Sequence, residues 1–128
     1  MDTITFEGKV FTGEGNGKKY LALTWVQKQI EEKLGFTPFL GTLNIKLTKE
    51  SFTHRKLLET AKAATICPAD GYCNGHLFKA QINNIQCAII LPKVKGYPKK
   101  VIEIIAQTNL RETLRLKDGD TVKVTAQI

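Results

Sequence analysis

Six short segments of the chain are typical of β-strands. In these segments apolar residues either alternate with polar ones or form brief apolar runs between turn signals. They are residues 3–11, 42–48, 77–82, 85–91, 101–106 and 121–128. Side chains alternate between the two faces of a strand, so each segment can cover one side of a core. Strands this short and numerous, with few helices, predict a mainly β fold in the form of a small antiparallel barrel.

Helical signals are fewer. A helix is predicted over residues 24–34, where apolar residues recur every four positions. Thr24 begins a capping-box pattern, and Gly35 suits the left-handed position after a last turn. A second short helix is predicted at residues 109–114, whereas residues 51–64 fit either helix or strand. The barrel is therefore expected to carry one or two short helices.

Two connections carry distinct turn chemistry. Asn83 and Asn84 tolerate left-handed backbone geometry and predict a hairpin. Residues 13–19, which read Gly-Glu-Gly-Asn-Gly-Lys-Lys, are predicted to lack regular structure. The backbone amides of such a loop can bind phosphate, and Lys18 or Lys19 would add charge. A glycine-rich turn is also common in all-β proteins, so both interpretations stay open.

Composition limits the class of protein. The sequence has 128 residues, 42% of them hydrophobic and 24% charged, and we expect residues 1–128 to form one globular domain. Its net charge of +7 favours anionic partners, namely nucleotide phosphates, nucleic acid or an acidic surface, without choosing among them. No apolar run approaches the roughly 20 residues that span a bilayer, so no membrane partner is expected.

The cysteines bear on the cellular compartment. Cys67, Cys73 and Cys87 do not make a disulfide framework, so we expect reduced thiols. The first residues lack the charged and apolar regions of a signal peptide. A cytoplasmic location is the expectation that follows.

The strand predicted at residues 42–48 has an unusual polar face. Thr42 and Asn44 place a hydroxyl and an amide oxygen two residues apart, and Lys46 follows on the same face. Such oxygens suit magnesium, and an ammonium beside them suits phosphate. The alternative is a half-buried strand with an ordinary polar face.

Two later stretches also carry functional side chains. Glu103 lies among aliphatic residues and would either face water or, in a cleft, accept hydrogen bonds or a proton from a substrate hydroxyl. Residues 108–111, Thr-Asn-Leu-Arg, fit the capped start of a helix or a strip that matches a pyrimidine edge. Arg111 would pair with a phosphate, with Glu112 or with Asp118.

Five stretches, taken in order, resemble the archaeal CTP-dependent riboflavin kinase family. The resemblance covers nearly the whole chain outside residues 49–74. The stretches are Gly13-x-Gly15-x-Gly17 with Tyr20-Leu21-x-Leu23, then Leu34-Gly35-Phe36-x-Pro38, then Gly41-Thr42-Leu43-Asn44-Ile45-Lys46-Leu47, then Glu103-Ile104-Ile105-Ala106 with Leu110-Arg111-Glu112, and Leu116-Lys117-Asp118-Gly119-Asp120-x-Val122. The fold that this resemblance implies is a six-stranded cradle-loop barrel.

The resemblance also implies roles for individual residues. Thr42 and Asn44 would hold Mg²⁺. Glu103 would bind the ribityl part of the flavin and is the candidate catalytic residue that orients the attacking hydroxyl. The position at which the family has a second flavin contact, a threonine or serine, is Lys95 here. The nucleotide site would consist of Gly15, Asn16, Gly17, Lys18, Lys19 and Tyr20 together with Thr108, Asn109, Leu110 and Arg111.

The implied reaction is magnesium-dependent transfer of the γ-phosphoryl group of CTP to the 5'-hydroxyl of riboflavin, giving FMN and CDP. We expect a monomer, although the sequence leaves the oligomeric state open. One rival is a basic barrel that binds nucleic acid, which is disfavoured because the sequence shows no stacked aromatic platform and no groove-reading helix. A barrel that binds flavin or nucleotide without turnover is the other rival, and Lys95 is the best argument for it.

Overall fold

The computed structural model describes residues 2–68, 74–93 and 96–128. Within them the chain forms seven strands and five helices. In chain order these are β1 (Thr3–Phe11), α1 (Asn16–Leu21), α2 (Thr24–Leu34), β2 (Leu43–Leu47), α3 (Lys49–His54), α4 (Lys56–Thr60), β3 (Ala64–Ile66), β4 (Gly75–Ile82), β5 (Ile85–Pro92), β6 (Val101–Ala106), α5 (Leu110–Thr113) and β7 (Thr121–Gln127).

Six of the strands close into an antiparallel barrel. The order in the sheet is β3-β4-β5-β6-β2-β1-β7, and β7 also pairs with β4, where Ala80 faces Ala126. The short strand β3 pairs with the other end of β4, where Ala64 faces Leu77, and therefore lies outside the ring. The predicted mainly β, six-stranded barrel is confirmed.

The barrel buries apolar side chains on both sides of one wall. Along β5, Cys87 and Ile89 belong to the interior cluster, which also contains Phe6. The alternate residue Ile90 joins a second cluster under α1 and α2, where Ile30 is fully buried. Because both faces of β5 are covered, the strand is an apolar run instead of an alternating one.

The predicted hairpin is confirmed. Asn83 and Asn84 have φ values of 47° and 69°, and the flanking residues Ile82 and Ile85 are paired. Two consecutive left-handed residues match the twist of the flanking strands.

Helical content exceeds the predicted one or two helices. The prediction that residues 13–19 lack regular structure is wrong at their carboxyl end, because α1 begins at Asn16. The ambiguous residues 51–64 are mainly helical, in α3 and α4. Helix α2 and the left-handed Gly35 are confirmed, but the N-cap is Leu23 without a side-chain hydrogen bond, so the capping box predicted at Thr24 is wrong.

The two cysteines among the described residues, Cys67 and Cys87, are in different states. Cys87 is free and buried, and its burial raises the pKa of the thiol to about 12. Cys67 is disulfide-bonded, so the expectation of reduced thiols is wrong for that residue. Among the described residues, no helix is long and apolar enough to cross a membrane.

Candidate active site

The polar face of β2 meets β6 on the outside of the barrel core. Leu43, Ile45 and Leu47 are buried, as their alternation predicts. Asn44 pairs with Glu103 across the β2–β6 ladder and with Phe11 across the β1–β2 ladder. The register of three strands thus brings an amide and a carboxylate to the same place.

Thr42, Asn44 and Glu103 form a cluster of oxygen atoms, here called the oxygen cluster. The Thr42 hydroxyl donates a hydrogen bond to Glu103 Oε1 at 3.0 Å, and its Oγ1 atom is 3.5 Å from Asn44 Oδ1. Glu103 is only partly exposed. Its carboxylate therefore faces a polar cleft, and the interpretation of a lone charge turned to water is wrong.

The glycine-rich segment lies directly against this cluster. A Cβ atom built on Gly17 would be 2.7 Å from Thr42 Cγ2 and 2.8 Å from Glu103 Oε1, and one built on Gly13 would be 2.7 Å from Asn44 Nδ2. Real Cβ atoms do not come this close. A side chain at either position would therefore force its neighbours to shift, so glycine lets the backbone approach the oxygen cluster closely.

Tyr97 is a site residue that sequence reasoning did not single out. Its hydroxyl donates to Glu103 Oε2 at 2.6 Å. Burial, followed by the hydrogen bond to Glu103, raises the pKa of Tyr97 well above its ordinary value, so the phenol stays a donor. With Thr42 on Oε1 and Tyr97 on Oε2, both carboxylate oxygens are held in place. The only signal in the sequence was a tyrosine in the loop that precedes β6.

A cleft of about 190 Å³ opens beside the cluster. Its lining includes Phe39, Thr42 and all four residues at 108–111. The Asn109 side chain caps α5 by accepting a hydrogen bond from the Glu112 amide at 3.3 Å. The structure therefore brings this segment to the oxygen cluster, and the helix-cap interpretation of Asn109 is confirmed.

The sequence offered three partners for Arg111, namely a phosphate, Glu112 and Asp118. In the structure Arg111 pairs with Asp118. Its Nη2 donates to Asp118 Oδ1 at 2.8 Å and to the Phe11 carbonyl at 3.3 Å. Thr12 donates to the same carboxylate, with both oxygens at 3.0 Å. These contacts tie the segment at 108–111 to the end of β1, where the glycine-rich segment begins.

This network predicts a pH-dependent stability. The Arg111 and Thr12 hydrogen bonds hold the pKa of Asp118 below its usual range. A carboxyl group with a lowered folded-state pKa stabilises the fold above its unfolded-state pKa of about 4, and this contribution disappears as the pH falls through the folded-state pKa. The melting temperature of Asp118→Asn should therefore be slightly lower than that of the wild type at pH 7. This difference in melting temperature should disappear below about pH 4. Glu112→Gln, which removes an exposed carboxylate, is the control for thermal melts between pH 7 and pH 2. A melting-temperature difference between Asp118→Asn and the wild type that grows as the pH falls would contradict the stabilising role of the ionised Asp118.

The surroundings of the other predicted site residues differ from those of the oxygen cluster. Tyr20 donates its hydroxyl to Asn74 Oδ1 at 3.0 Å, its ring packs edge-to-face on Trp25, and burial raises its pKa to about 12. Tyr20 therefore anchors α1 to the barrel. Asn16, Lys18 and Lys19 are exposed along α1. Lys95 lies outside the described residues, so its predicted flavin contact stays a prediction.

The oxygen cluster fits a magnesium ion. Mg²⁺ prefers oxygen ligands, keeps several waters and takes few ligands from the protein. Thr42, Asn44 and Glu103 supply a hydroxyl, an amide oxygen and a carboxylate, and the Thr42 hydroxyl lies 3.5 Å from the amide oxygen and 3.0 Å from the carboxylate. Elsewhere in the described part of the chain, no group of three histidine, cysteine or acidic side chains could hold a metal.

Comparisons with known proteins identify relatives across nearly the whole chain. A family model named CTP-dep_RFKase, described as "Domain of unknown function DUF120", matches residues 10–126. The chain is 43% identical to the riboflavin kinase of Pyrobaculum aerophilum, in an alignment covering 95% of this chain and 60% of that protein. It is 40% identical to the riboflavin kinase of Archaeoglobus fulgidus, over 95% of this chain and 54% of that protein. It is 41% identical to the riboflavin kinase of Methanosarcina barkeri, over 97% of this chain and 57% of that protein. The chain thus spans little more than half the length of these relatives.

Proposed function

The chain belongs to the CTP-dependent riboflavin kinase family, and from this membership we propose that it transfers the γ-phosphoryl group of CTP to the 5'-hydroxyl of riboflavin, releasing FMN and CDP. The observation that carries the proposal is the contact of Gly17 with Thr42 and Glu103. Through this contact, a segment suited to phosphate lies against a cluster suited to a metal ion and a hydroxyl group.

The nucleotide would occupy the space between two segments. Residues 15–20 would lie along its phosphates, and residues 108–111 would contact its base across the cleft beside Thr42. Lys18 and Lys19 are exposed and available to a polyphosphate. Preference for CTP over ATP is part of the proposal, since a strip of backbone groups can distinguish the amino and carbonyl edge of cytosine from adenine.

Thr42 and Asn44 would hold the magnesium ion, which when bound neutralises charge on the phosphates. Both side chains are uncharged, so on their own they should bind the ion weakly. We therefore expect calorimetry to detect Mg²⁺ binding with CDP present and little binding without it. Thr42→Ala should remove the CDP-dependent binding, whereas the control Lys79→Ala, at an exposed position on β4, should retain it. Tight binding to the nucleotide-free chain would contradict this part of the proposal.

Glu103 would orient the riboflavin 5'-hydroxyl. Phosphoryl transfer through a loose transition state depends more on positioning than on a strong base. A carboxylate can accept about four hydrogen bonds, so its contacts with Thr42 and Tyr97 leave room for a substrate hydroxyl. In the reaction the hydroxyl oxygen bonds to the γ-phosphorus, the bond from that phosphorus to the β,γ-bridging oxygen breaks so that CDP departs with that oxygen, and the hydroxyl proton passes to Glu103 or to solvent.

The deciding experiment is to incubate the chain with riboflavin, Mg²⁺ and each of the four nucleoside triphosphates, and to separate FMN from riboflavin by chromatography. We expect FMN with CTP and much less with the others. No FMN with any triphosphate would overturn the proposal. A salt-sensitive gel shift without a nucleotide-dependent thermal shift would then favour the nucleic-acid-binding module.

The proposal also covers the domain organisation and the cellular location of the chain. Because the relatives are longer, the assay also tests whether residues 1–128, acting as one monomeric domain, are sufficient for turnover. A cytoplasmic location belongs to the same proposal, since the donor is a nucleoside triphosphate.

A further inference from the structure

The polar face of β2 continues past the oxygen cluster to Lys46. Asn44 and Lys46 lie two residues apart on this strand, and both point away from the barrel core, because Ile45 and Leu47 between and after them are buried. Two residues of a strand span about 7 Å, a distance that the flexible four-carbon stem of a lysine covers. The ammonium group of Lys46 can therefore reach a phosphate that lies beside Asn44.

Lys46 faces a second lysine. Lys9 of β1 lies directly opposite Lys46 in the β1–β2 ladder, and both side chains are exposed on the same face. Within the described ranges, neither ammonium group forms an ion pair or a hydrogen bond, and the nearby Glu7 lies 3.7 Å from Lys123 instead. Like charges directly opposite each other in a sheet are destabilising. An anion bound between Lys9 and Lys46, here called the lysine pair, would offset this repulsion.

The location of the lysine pair points to the far end of a nucleotide. Thr42 and residues 108–111 line the cleft assigned to the base, and the glycine-rich segment lies against Thr42 and Asn44. Lys46 lies beyond both, about 13 Å from Thr42 along β2. A polyphosphate that leaves the cleft along β2 therefore meets the glycine-rich segment first and the lysine pair last.

We propose that Lys46, supported by Lys9, binds the γ-phosphate of the nucleotide. The inference rests on the proposed function, because that function places the base and the phosphates nearest to it. The two ammonium groups would offset the negative charge of the phosphoryl group that is transferred. CDP lacks this phosphate, so Lys46 would make the site prefer the substrate CTP to the product CDP.

The test compares CTP with CDP on the same protein. Calorimetry with Mg²⁺ and without riboflavin measures the affinity for each nucleotide, because no FMN forms without the acceptor. The wild type should bind CTP more tightly than CDP. Lys46→Met should bind CTP about 10-fold more weakly, as expected for the loss of one charged hydrogen bond, and should bind CDP like the wild type. The control Lys79→Met, at an exposed position on β4, should leave both affinities unchanged.

Two further variants exclude a general effect of charge. Lys46→Arg keeps the positive charge and should retain most of the preference for CTP. Lys18→Met, on α1, should weaken the binding of CTP and CDP equally, because residues 15–20 are assigned to phosphates that both nucleotides carry. If Lys46→Met also lost affinity for CTP and CDP equally, or bound CTP like the wild type, the inference would be overturned.

Thermal melting shows whether Lys46 has a structural role instead. Lys46→Met removes one of two opposed like charges, so its melting temperature without nucleotide should equal or exceed that of the wild type. A lower melting temperature would show that Lys46 stabilises the fold and would overturn the inference. In steady-state kinetics, Lys46→Met should raise the KM for CTP and leave the KM for riboflavin unchanged.

The binding measurements also separate this inference from the proposed function. If the wild type makes FMN and Lys46→Met keeps the wild-type preference for CTP over CDP, the inference is overturned and the proposed function stands. If the wild type makes no FMN but prefers CTP to CDP in a Lys46-dependent way, the proposed function fails and the γ-phosphate site stands.

Discussion

Replacing Glu103 with glutamine should lower kcat by about 100-fold or more while changing the affinity for CTP little. Glutamine has nearly the same shape, but its amide offers one acceptor oxygen where the carboxylate offers two. Thr42 and Tyr97 each donate to one carboxylate oxygen, so the amide cannot keep both contacts unchanged. It would also lose the charge that holds the substrate hydroxyl.

Steady-state kinetics and CDP calorimetry on the same preparation would check this prediction. Tyr97→Phe is the informative comparison, because it keeps the carboxylate and removes one of its two donors, and its loss of kcat should be smaller. Glu14→Gln, an exposed acid in the glycine-rich segment, is the control for a general effect of charge. Equal losses of turnover and of nucleotide affinity in Glu103→Gln would show that Glu103 is structural.

Gly17→Ala is expected to lower activity about 10- to 100-fold, because misplacement of a catalytic geometry by an ångström can cost that much. Alanine inside a helix normally stabilises it by roughly 0.5–1 kcal/mol relative to glycine. Here the added Cβ would lie 2.7 Å from Thr42 Cγ2 and 2.8 Å from both Thr42 Oγ1 and Glu103 Oε1. The backbone of α1 must therefore move away from the oxygen cluster.

A second substitution makes this prediction specific. Thr42→Ser removes the closest atom, the Cγ2 methyl, and keeps the hydroxyl. The double variant Gly17→Ala/Thr42→Ser should therefore recover part of the activity that Gly17→Ala loses, which a double-mutant cycle on kcat/KM would measure. Full activity of Gly17→Ala, or strictly additive effects of the two substitutions, would show that α1 does not lie against Thr42 as described.

Much of the barrel was predictable because its signals are local. Alternation with a period of two places Leu43 and Ile45 inside and Asn44 outside, whatever the rest of the chain does. The left-handed pair Asn83 and Asn84 specifies the hairpin in the same way. These features depend on residues within a few positions of one another, so sequence reasoning recovered them.

The errors have a common cause in tertiary packing. Residues 16–21 form a helix despite Gly17, and Leu21 at its end is fully buried. Burial of that face outweighs the low helix propensity of glycine. The same holds for α3 and α4, in which Leu58 is fully buried although the local pattern was ambiguous.

By itself, the sequence determined the six strands of the barrel, the polar face of β2 and the family to which the chain belongs. Only the tertiary structure decided that Gly17, Thr42 and Glu103 meet and that Tyr97 holds the carboxylate. The physical reason is that these contacts join positions far apart in the chain, 61 residues in the case of Thr42 and Glu103. Their distances depend on the register between β2 and β6 and on the packing of the helices, and a local residue pattern contains neither.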